Sequence, residues 1–312
     1  MNQPSRGACY PVDSDSNPCN PIQCSPQRHQ PNENKALLQD QNMAMVSFLW
    51  LEITGKCQLE CVHCYAESGP SGTHGTMARS DWERVLDQAR DLGVKMVQFI
   101  GGEPTLHPDL AALINHALRQ GLLVEVFSNL THVSPSLWEV FSQPGVRLAT
   151  SYYTDDPDQH EKITQRRGSY AHTKANIIEA VRRSISLRVG LINVDDDQRV
   201  EQARSELKAL GVQEIGMDRL RQVGRGIRNQ QPNISQLCGS CGGGSIAILP
   251  DGTVSPCPIS RWITIGNVHE EQLFSILTSQ KIARSRNEIR AGRDYDYFPN
   301  NDCQPREEKC FP

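Results

Sequence analysis

Three cysteines stand in the segment Lys56-Cys57-Gln58-Leu59-Glu60-Cys61-Val62-His63-Cys64-Tyr65, which follows an apolar segment from Phe48 to Ile53. It places three thiols in the spacing C-x3-C-x2-C. Thiolates this close are expected to converge on one soft metal centre, but a structural zinc site needs four protein ligands, and only His63 stands nearby as a fourth. A 4Fe-4S cluster held by three cysteines instead leaves one iron open to a small chelating molecule. Zinc and a merely buried set of thiols remain the alternatives.

The composition favours a soluble cytoplasmic enzyme. The chain has 312 residues, 38% of them hydrophobic and 22% charged, which is enough for a barrel-sized core and a small additional domain. A formal net charge of -4 gives no basic surface that would indicate nucleic acid as a partner. The sequence shows no apolar run of transmembrane length and no signal-peptide pattern, so no membrane association is expected. The 11 cysteines are then expected in a reducing compartment, as metal ligands rather than disulfides.

Residues 1–44 form a polar, proline-rich segment with almost no aliphatic residue before Leu37. Such a segment buries too little surface to offset its ordering entropy, so we expect it to be disordered. Cys9, Cys19 and Cys24 lie in this segment without a familiar metal-binding spacing. We interpret them as thiols without a site, the alternative being contact with a cluster or a partner in the assembled enzyme.

Residues 45–228 alternate apolar runs with amphipathic stretches, which is the pattern of repeated βα units. The apolar runs predict strands at Val46–Ile53, Met96–Ile100, Leu122–Ser128, Arg147–Tyr152, Leu187–Asn193 and Glu214–Arg219. The stretches between them predict helices at Ser80–Leu92, Pro108–Gln120, Ser134–Ser142, Tyr170–Ser184 and Gln198–Leu210. A capping box from Ser80 to Glu83 is expected to open the first helix, and Tyr152–Ser169 is predicted to be a loop.

Short polar motifs stand where several of these strands end. Gly101-Gly102-Glu103-Pro104 follows the second strand, Ser128-Asn129 ends the third, and Ser151 lies near the end of the fourth. Because the carboxyl ends of parallel strands meet at one edge, we expect these motifs to share a site with the cysteine triplet. Glycines permit close backbone approach, and Glu103 supplies an anionic acceptor for an ammonium group. Each motif taken alone also fits an ordinary turn or a helix cap.

The triplet, the strand before it and the downstream Gly-Gly-Glu-Pro together resemble the radical SAM enzymes. The resemblance implies an α/β fold, a partial (β/α)6 TIM-type barrel with a small C-terminal iron-sulfur domain. It also implies a 4Fe-4S cluster on Cys57, Cys61 and Cys64 whose open iron chelates S-adenosylmethionine. In that family an electron from the cluster cleaves this cofactor to a 5'-deoxyadenosyl radical, which abstracts hydrogen from the substrate. An external electron donor is therefore implied.

The resemblance further implies contacts with S-adenosylmethionine. His63 would pack near the adenine, Gly101, Gly102 and Glu103 would hold the amino group, Ser128, Asn129 and Ser151 would lie near the ribose, and Arg166 or Arg167 would lie near the carboxylate. No catalytic acid or base stands out in the sequence. Tyr152, Tyr153, Asp155 and His160 lie on the predicted active-site loop and fit either that role or an ordinary loop.

Residues 229–312 carry a second group of thiols. Cys238 and Cys241 are spaced C-x2-C, and a predicted hairpin turning at Asp251-Gly252 would bring Cys257 to them. This arrangement is similar to a shortened form of the auxiliary-cluster region of SPASM and twitch proteins. It implies one auxiliary 4Fe-4S cluster on Cys238, Cys241, Cys257 and one of Cys303 or Cys310. A zinc ribbon is the alternative, and a spare thiol could instead donate a hydrogen atom.

Relatives with this layout mostly modify ribosomally made peptides, so the resemblance implies oxidative crosslinking of a precursor peptide. The first 44 residues are too few and too polar for a peptide-recognition domain, and we expect a separate recognition protein to supply one. The alternatives are a radical dehydrogenase, epimerase or mutase that acts on a small molecule, and a non-catalytic iron-sulfur scaffold.

Overall fold

The computed structural model describes residues 46–228 and 231–292. The first six strands are β1 (Phe48–Thr54), β2 (Met96–Gly101), β3 (Leu123–Phe127), β4 (Val146–Tyr152), β5 (Leu187–Asn193) and β6 (Glu214–Arg219). Three shorter strands follow them, β7 (Ser245–Ile248), β8 (Thr253–Ser255) and β9 (Gly266–Asn267). The α-helices are α1 (Arg79–Asp91), α2 (Leu110–Arg119), α3 (Pro135–Phe141), α4 (Pro157–Thr164), α5 (Ser169–Arg182), α6 (Val200–Ala209), α7 (Leu273–Thr278) and α8 (Gln280–Ala291).

One 9-stranded sheet carries all of these strands, in the order β6-β5-β4-β3-β2-β1-β7-β8-β9. Every pairing from β6 to β7 is parallel, and the pairings of β7 with β8 and of β8 with β9 are antiparallel. The predicted α/β fold is confirmed. The sequence did not indicate that the C-terminal hairpin adds to the same sheet, where Phe48 pairs with Ser245 and Leu51 with Ile248.

The two faces of β1 pack against different groups of side chains, because successive residues of a strand point to opposite faces. Leu49, Leu51 and Ile53 pack in the core that includes the helices. Phe48 and Trp50 pack in a second core on the inner face of the sheet. All seven residues of β1 are buried, as expected of a strand with neighbours on both sides and a layer on each face.

A polar layer crosses the inner face at the level of β2 to β5. The buried carboxylate of Glu125 accepts from Arg188 Nε and Nη2 at 2.7 Å, Gln98 Nε2 also donates to it, and it forms an ion pair with Arg147, whose Nε lies 2.8 Å away. Burial alone would raise the pKa of Glu125, but the two guanidinium groups lower it below its ordinary value. A buried charge is tolerated here because donors surround it.

The sequence located the strands and most helices but misplaced two features. The loop predicted over Tyr152–Ser169 was wrong in part, since Pro157–Thr164 is helix α4. The sequence did contain a helix-start signal, an aspartate followed by proline at the first helical position. In the structure, Asp156 Oδ1 accepts from Gln159 N at 2.8 Å. Helix α1 begins at Arg79 rather than in a Ser80 capping box, and Asp81 accepts from Ala78 N at 3.0 Å.

The predictions for residues 1–44, including Cys9, Cys19 and Cys24, and those for Cys303 and Cys310 lie outside the described residues. Within the ranges that are described, no helix combines the length and the apolar character needed to cross a membrane.

Glu125→Ala should lower the free energy of unfolding by about 3 to 5 kcal/mol, because it leaves the buried charges of Arg147 and Arg188 without their shared carboxylate. Chemical denaturation measures the change. Since the folded-state pKa of Glu125 is depressed, its contribution is present above the unfolded-state pKa and is lost as the pH falls through the folded one. Glu139→Ala, at a carboxylate 78% exposed, is the control and should change stability by less than about 0.5 kcal/mol. Equal effects of the two variants would contradict this account.

Candidate active site

The cysteine triplet lies on the loop that leaves the carboxyl end of β1. Two stretches of chain hold this loop by backbone hydrogen bonds. Cys57 N donates to Gly69 O at 3.0 Å, and Val62 N donates to Ile163 O, at the end of α4, also at 3.0 Å. The loop is therefore fixed by residues well removed in sequence, and its three thiols line a single cavity.

This cavity encloses about 880 Å³, including the part that is open to solvent. Its walls combine the cysteine loop with residues at the ends of β2, β3, β4, β5 and β6. Five of the residues predicted to contact S-adenosylmethionine line it: His63, Gly101, Gly102, Asn129 and Ser151. The cysteine triplet and the polar motifs are thus brought together at one edge of the sheet. The individual contacts with the cofactor stay predictions.

Gly101 and Gly102 are required by the packing of the protein itself. A Cβ on Gly101, where φ is +123°, would lie 2.3 Å from Thr54 O, and one on Gly102 would lie 2.3 Å from Lys56 O. Both contacts are far inside van der Waals distance, and Glu103 N donates to Lys56 O at 2.8 Å. The glycines therefore let the end of β2 lie directly against the start of the cysteine loop.

The carboxylate of Glu103 is buried and turned toward the end of β3. It accepts at Oε1 from Thr105 N at 3.0 Å and from Ser128 Oγ at 2.8 Å, and at Oε2 from Asn129 N at 2.8 Å. Burial raises its pKa above the ordinary value even though these donors favour the anion. Glu103 and Ser128 lie behind the cavity wall rather than on it, and they hold Asn129 in the wall.

Two hydrogen-bond donors lie at the Cys57 sulfur, which itself donates to Gln58 Oε1 at 3.8 Å. Leu59 N lies 3.4 Å and Asn129 Nδ2 3.6 Å from its sulfur, and Gln58 Nε2 holds Asn129 Oδ1 at 3.0 Å. Donors of this kind favour a thiolate over a thiol. Burial acts in the opposite direction and raises the pKa of Cys57, and it raises that of Cys61 to about 12. A bound metal would supply the positive charge that offsets this burial.

His63 and Tyr153 form an aromatic wall beside the thiols. Their ring centroids are 5.1 Å apart in an edge-to-face arrangement, and the Tyr153 hydroxyl is hydrogen-bonded to Cys61. Burial lowers the pKa of His63 to about 4, so the imidazole is neutral near pH 7. Its Nδ1 is buried and has no hydrogen-bond partner among the described residues.

Arg166 lies elsewhere. It lines a separate cavity with Arg167, His132 and His172, next to Gln58.

Of the four candidates for acid or base, Tyr153 lines the thiol cavity, whereas Tyr152 donates to Glu206 at 2.7 Å and Asp155 pairs with Arg199 at 2.8 Å. His160 is buried between the tyrosines.

The cavity also contains residues that the sequence did not single out. They include cationic and apolar side chains from the end of β6, from the segment after it and from the C-terminal region, such as Arg219, Arg221, Arg225 and Ile259. A basic, glycine-containing segment directly after the sixth predicted strand was the available signal.

The second thiol group, Cys238, Cys241 and Cys257, is also buried. The hairpin of β7 and β8 turns at Asp251 and Gly252 as predicted, with φ of +81° at Gly252. Cys241 Sγ lies 3.3 Å from Cys257 Sγ, and the side chain of Cys238 is hydrogen-bonded to Cys241. These three thiols therefore lie together in the structure, and their role as cluster ligands stays a prediction.

The two thiol groups share an apolar layer on the inner face of the sheet. Ile100, Phe127 and Ile259 pack in the same core as the second group, and all three also line the cavity of the first. An ion pair also joins the C-terminal region to β1, since Arg261, four residues after Cys257, pairs with the buried carboxylate of Glu52. The segment that follows Cys257 therefore connects the two sites.

Comparison with known proteins agrees with this geometry. The sequence model of the radical SAM superfamily matches residues 51–205, and that of an iron-sulfur cluster-binding domain, SPASM, matches residues 238–310. The chain belongs to the radical SAM superfamily. The first match contains Cys57, Cys61 and Cys64, and the second contains Cys238, Cys241 and Cys257.

Two relatives place this radical SAM chain among named proteins. It is 23% identical over 263 residues to the antilisterial bacteriocin subtilosin biosynthesis protein AlbA of Bacillus subtilis, covering 73% of this chain and 58% of that protein. It is 30% identical over 166 residues to a PqqA peptide cyclase of Ruegeria pomeroyi, covering 51% of this chain and 44% of the cyclase. The chain thus spans about half the length of these relatives.

Among solved structures, Streptococcus suis SuiB bound to S-adenosylmethionine has a similar fold. The TM-score is 0.67 at 16% identity, over 82% of this chain and 70% of SuiB. At this identity the similarity concerns the fold alone.

The residues fit the two iron-sulfur clusters that the superfamily and its SPASM domain imply. At the first site, three thiols line one cavity, two donors lie at the Cys57 sulfur, and Gly101 and Gly102 line the same cavity. At the second, three buried thiols converge from a loop and a hairpin. In residues 46–228 and 231–292, no three His, Cys, Asp or Glu side chains are arranged to hold a single metal ion. The fit of the two clusters therefore rests on the thiols, which are soft ligands that suit iron-sulfur clusters, and on the cavity at the first site.

Replacing Cys57, Cys61 and Cys64 together by Ala should remove one cluster, about four irons per chain, and abolish formation of 5'-deoxyadenosine. Iron analysis of anaerobically reconstituted protein gives the first result, and chromatography after reduction with S-adenosylmethionine gives the second. Production of 5'-deoxyadenosine by this variant would contradict the assignment of the site.

Glu103→Ala should weaken binding of S-adenosylmethionine by about tenfold or more, because the end of β3 loses the two hydrogen bonds, from Ser128 Oγ and Asn129 N, that hold Asn129 in the cavity wall. Equilibrium dialysis measures the affinity. Glu60→Ala is the matched control, since Glu60 is an exposed carboxylate of the cysteine loop. This variant should bind the cofactor as tightly as wild type does. Unchanged affinity in Glu103→Ala would remove the proposed role of this residue.

Proposed function

We propose that this protein is a radical SAM enzyme that oxidatively crosslinks a ribosomally synthesised precursor peptide. The observation that carries the proposal is the apolar layer that the two thiol groups share, in which Ile100, Phe127 and Ile259 line the first cavity and belong to the core that contains the second group. A reaction with a net loss of electrons from its substrate needs an acceptor close to the radical site, and a second cluster held there would fill that role.

The residues of the first site would hold the cofactor in a fixed orientation. When bound, the cluster and S-adenosylmethionine together supply a 5'-deoxyadenosyl radical, which takes a hydrogen atom from the substrate. Asn129 and Leu59 N would donate to the Cys57 sulfur, and His63 with Tyr153 would shield the thiols from water. The neutral imidazole of His63 adds no charge to this wall.

The hydrogens and electrons of a crosslink require the second site. Joining two positions of a peptide removes one hydrogen from each. One leaves as the atom transferred to the deoxyadenosyl radical, and the other leaves as a proton and an electron. Cys238, Cys241 and Cys257 would hold the auxiliary cluster that accepts this electron, with the fourth ligand supplied by Cys303 or Cys310.

A peptide substrate is supported by the names of the relatives. AlbA is a bacteriocin biosynthesis protein, the cyclase acts on the PqqA peptide, and SuiB has been solved bound to the precursor peptide SuiA. By analogy, we assign a precursor peptide to this protein as its substrate, a separate peptide-recognition protein and an external electron donor as its partners, and the cytoplasm as its location.

The direct test is incubation of the reconstituted enzyme with S-adenosylmethionine, a reductant and a short peptide encoded beside its gene. The expected product is a peptide lighter by two hydrogens, with 5'-deoxyadenosine formed alongside it, and tandem mass spectrometry locates the crosslink. An unmodified peptide, together with turnover of a small molecule, would instead support a radical dehydrogenase, epimerase or mutase.

Replacing Cys238, Cys241 and Cys257 together by Ala should abolish the crosslinked product while the first site continues to form 5'-deoxyadenosine. The reason is that the electron acceptor is lost but the site that cleaves S-adenosylmethionine is intact. Because these thiols are buried, thermal unfolding of the variant is measured in parallel, and wild-type activity is measured on the same peptide. Crosslinking at the wild-type rate would contradict the proposed role of the second site.

A further inference from the structure

The segment Gly224–Gly226, which follows β6, crosses the cysteine loop in direct backbone contact. Arg225 N donates to Cys64 O at 3.0 Å. A Cβ on Gly224, where φ is +52°, would lie 2.5 Å from Cys64 O and 2.5 Å from Tyr65 O. Only glycine fits so close to a neighbouring backbone. The contact therefore places residue 225 against the loop that carries the three thiols.

The side chain of Arg225 binds the backbone of this loop at two positions. Its Nε donates to Cys61 O at 2.8 Å, and its Nη2 donates to Ser68 O at 2.6 Å. The planar guanidinium presents donors in fixed directions, so one side chain binds both carbonyls at once. Lysine has the same charge, but its single ammonium cannot reproduce this two-directional contact.

The charge of Arg225 also faces the first thiol site, because the residue lines the same cavity. Four other guanidinium groups lie in this region: Arg219 and Arg221 line the same cavity, Arg228 acts from the exposed surface near His63, and Arg261 lies beside Cys64. Arg225 both lines the cavity and bonds the backbone of the cysteine loop. A fixed positive charge beside a cluster stabilises its more negative, reduced form.

We propose that Arg225 is a positioning residue of the first cluster, which fixes the cysteine loop through Cys61 O and Ser68 O and raises the reduction potential of the cluster through its charge. This inference rests on the proposed cluster at Cys57, Cys61 and Cys64, but it does not depend on the nature of the substrate.

The test compares Arg225→Gln, Arg225→Lys and the control Arg228→Gln in the reconstituted holoenzyme. Two readouts separate the two roles, and neither involves a peptide. A redox titration followed by electron paramagnetic resonance gives the midpoint potential, and hydrogen exchange of residues 62–67 reports on the loop. Arg225→Gln should shift the potential downward, Arg225→Lys should keep it near the wild-type value, and both should exchange about tenfold faster in the loop. Arg228→Gln should match wild type in both.

A wild-type potential in Arg225→Gln, or wild-type loop exchange in Arg225→Lys, would overturn the inference. If Arg225→Gln does not fold, as judged by its thermal unfolding, Arg225→Lys decides, because it retains the charge and loses only the two-directional contact. If Arg225→Gln has the wild-type potential while the wild-type enzyme crosslinks its peptide, the role of Arg225 is refuted and the proposed function stands. If the potential and the loop exchange change as predicted but the wild-type enzyme crosslinks no peptide, the proposed function is refuted and the role of Arg225 stands.

Discussion

The pairing of β1 on both of its edges is the constraint on which the rest of the structure depends. Parallel ladders with β2 and β7 leave none of its seven residues exposed, and alternate side chains enter two different cores. The strand is therefore held in one register, because a slip by one residue would exchange the two faces. The loop that leaves its carboxyl end inherits this fixed position, and that loop carries Cys57, Cys61 and Cys64.

The same strand relates the two thiol sites. Because Ser245 to Ile248 pair with Phe48 to Leu51, the hairpin extends the sheet, and the second group of thiols packs with Phe48 and Trp50 in the core on its inner face. Ile259 then reaches the first cavity, and Arg261 reaches the carboxylate of Glu52. Burial raises the pKa of Glu52, whereas Arg261 favours its anion. A buried pair of this kind contributes position more than stability, and here the position is that of the segment between the two sites.

The sequence was sufficient for β1 to β5 because their apolar runs are mostly buried, and for the thiol sites because ligand spacing is local. The sixth run is also a strand, although none of its residues is buried. It did not predict the joining of β7 to β1, since nothing local records which edge a hairpin will meet. Helix α4 was missed because Ile163 is the only strongly apolar residue in Pro157–Thr164. The sequence assigned Gly101 and Gly102 to the cofactor, but their closest contacts are with Thr54 and Lys56, which only the folded chain brings near.

The central claim is that Cys57, Cys61 and Cys64 hold a cluster with one iron open to S-adenosylmethionine. Electron paramagnetic resonance of the reduced protein, in a variant lacking Cys238, Cys241 and Cys257, observes this site by itself. The account predicts an iron-sulfur signal that changes when S-adenosylmethionine is added. A signal that ignores the cofactor, or zinc in place of iron, would contradict it.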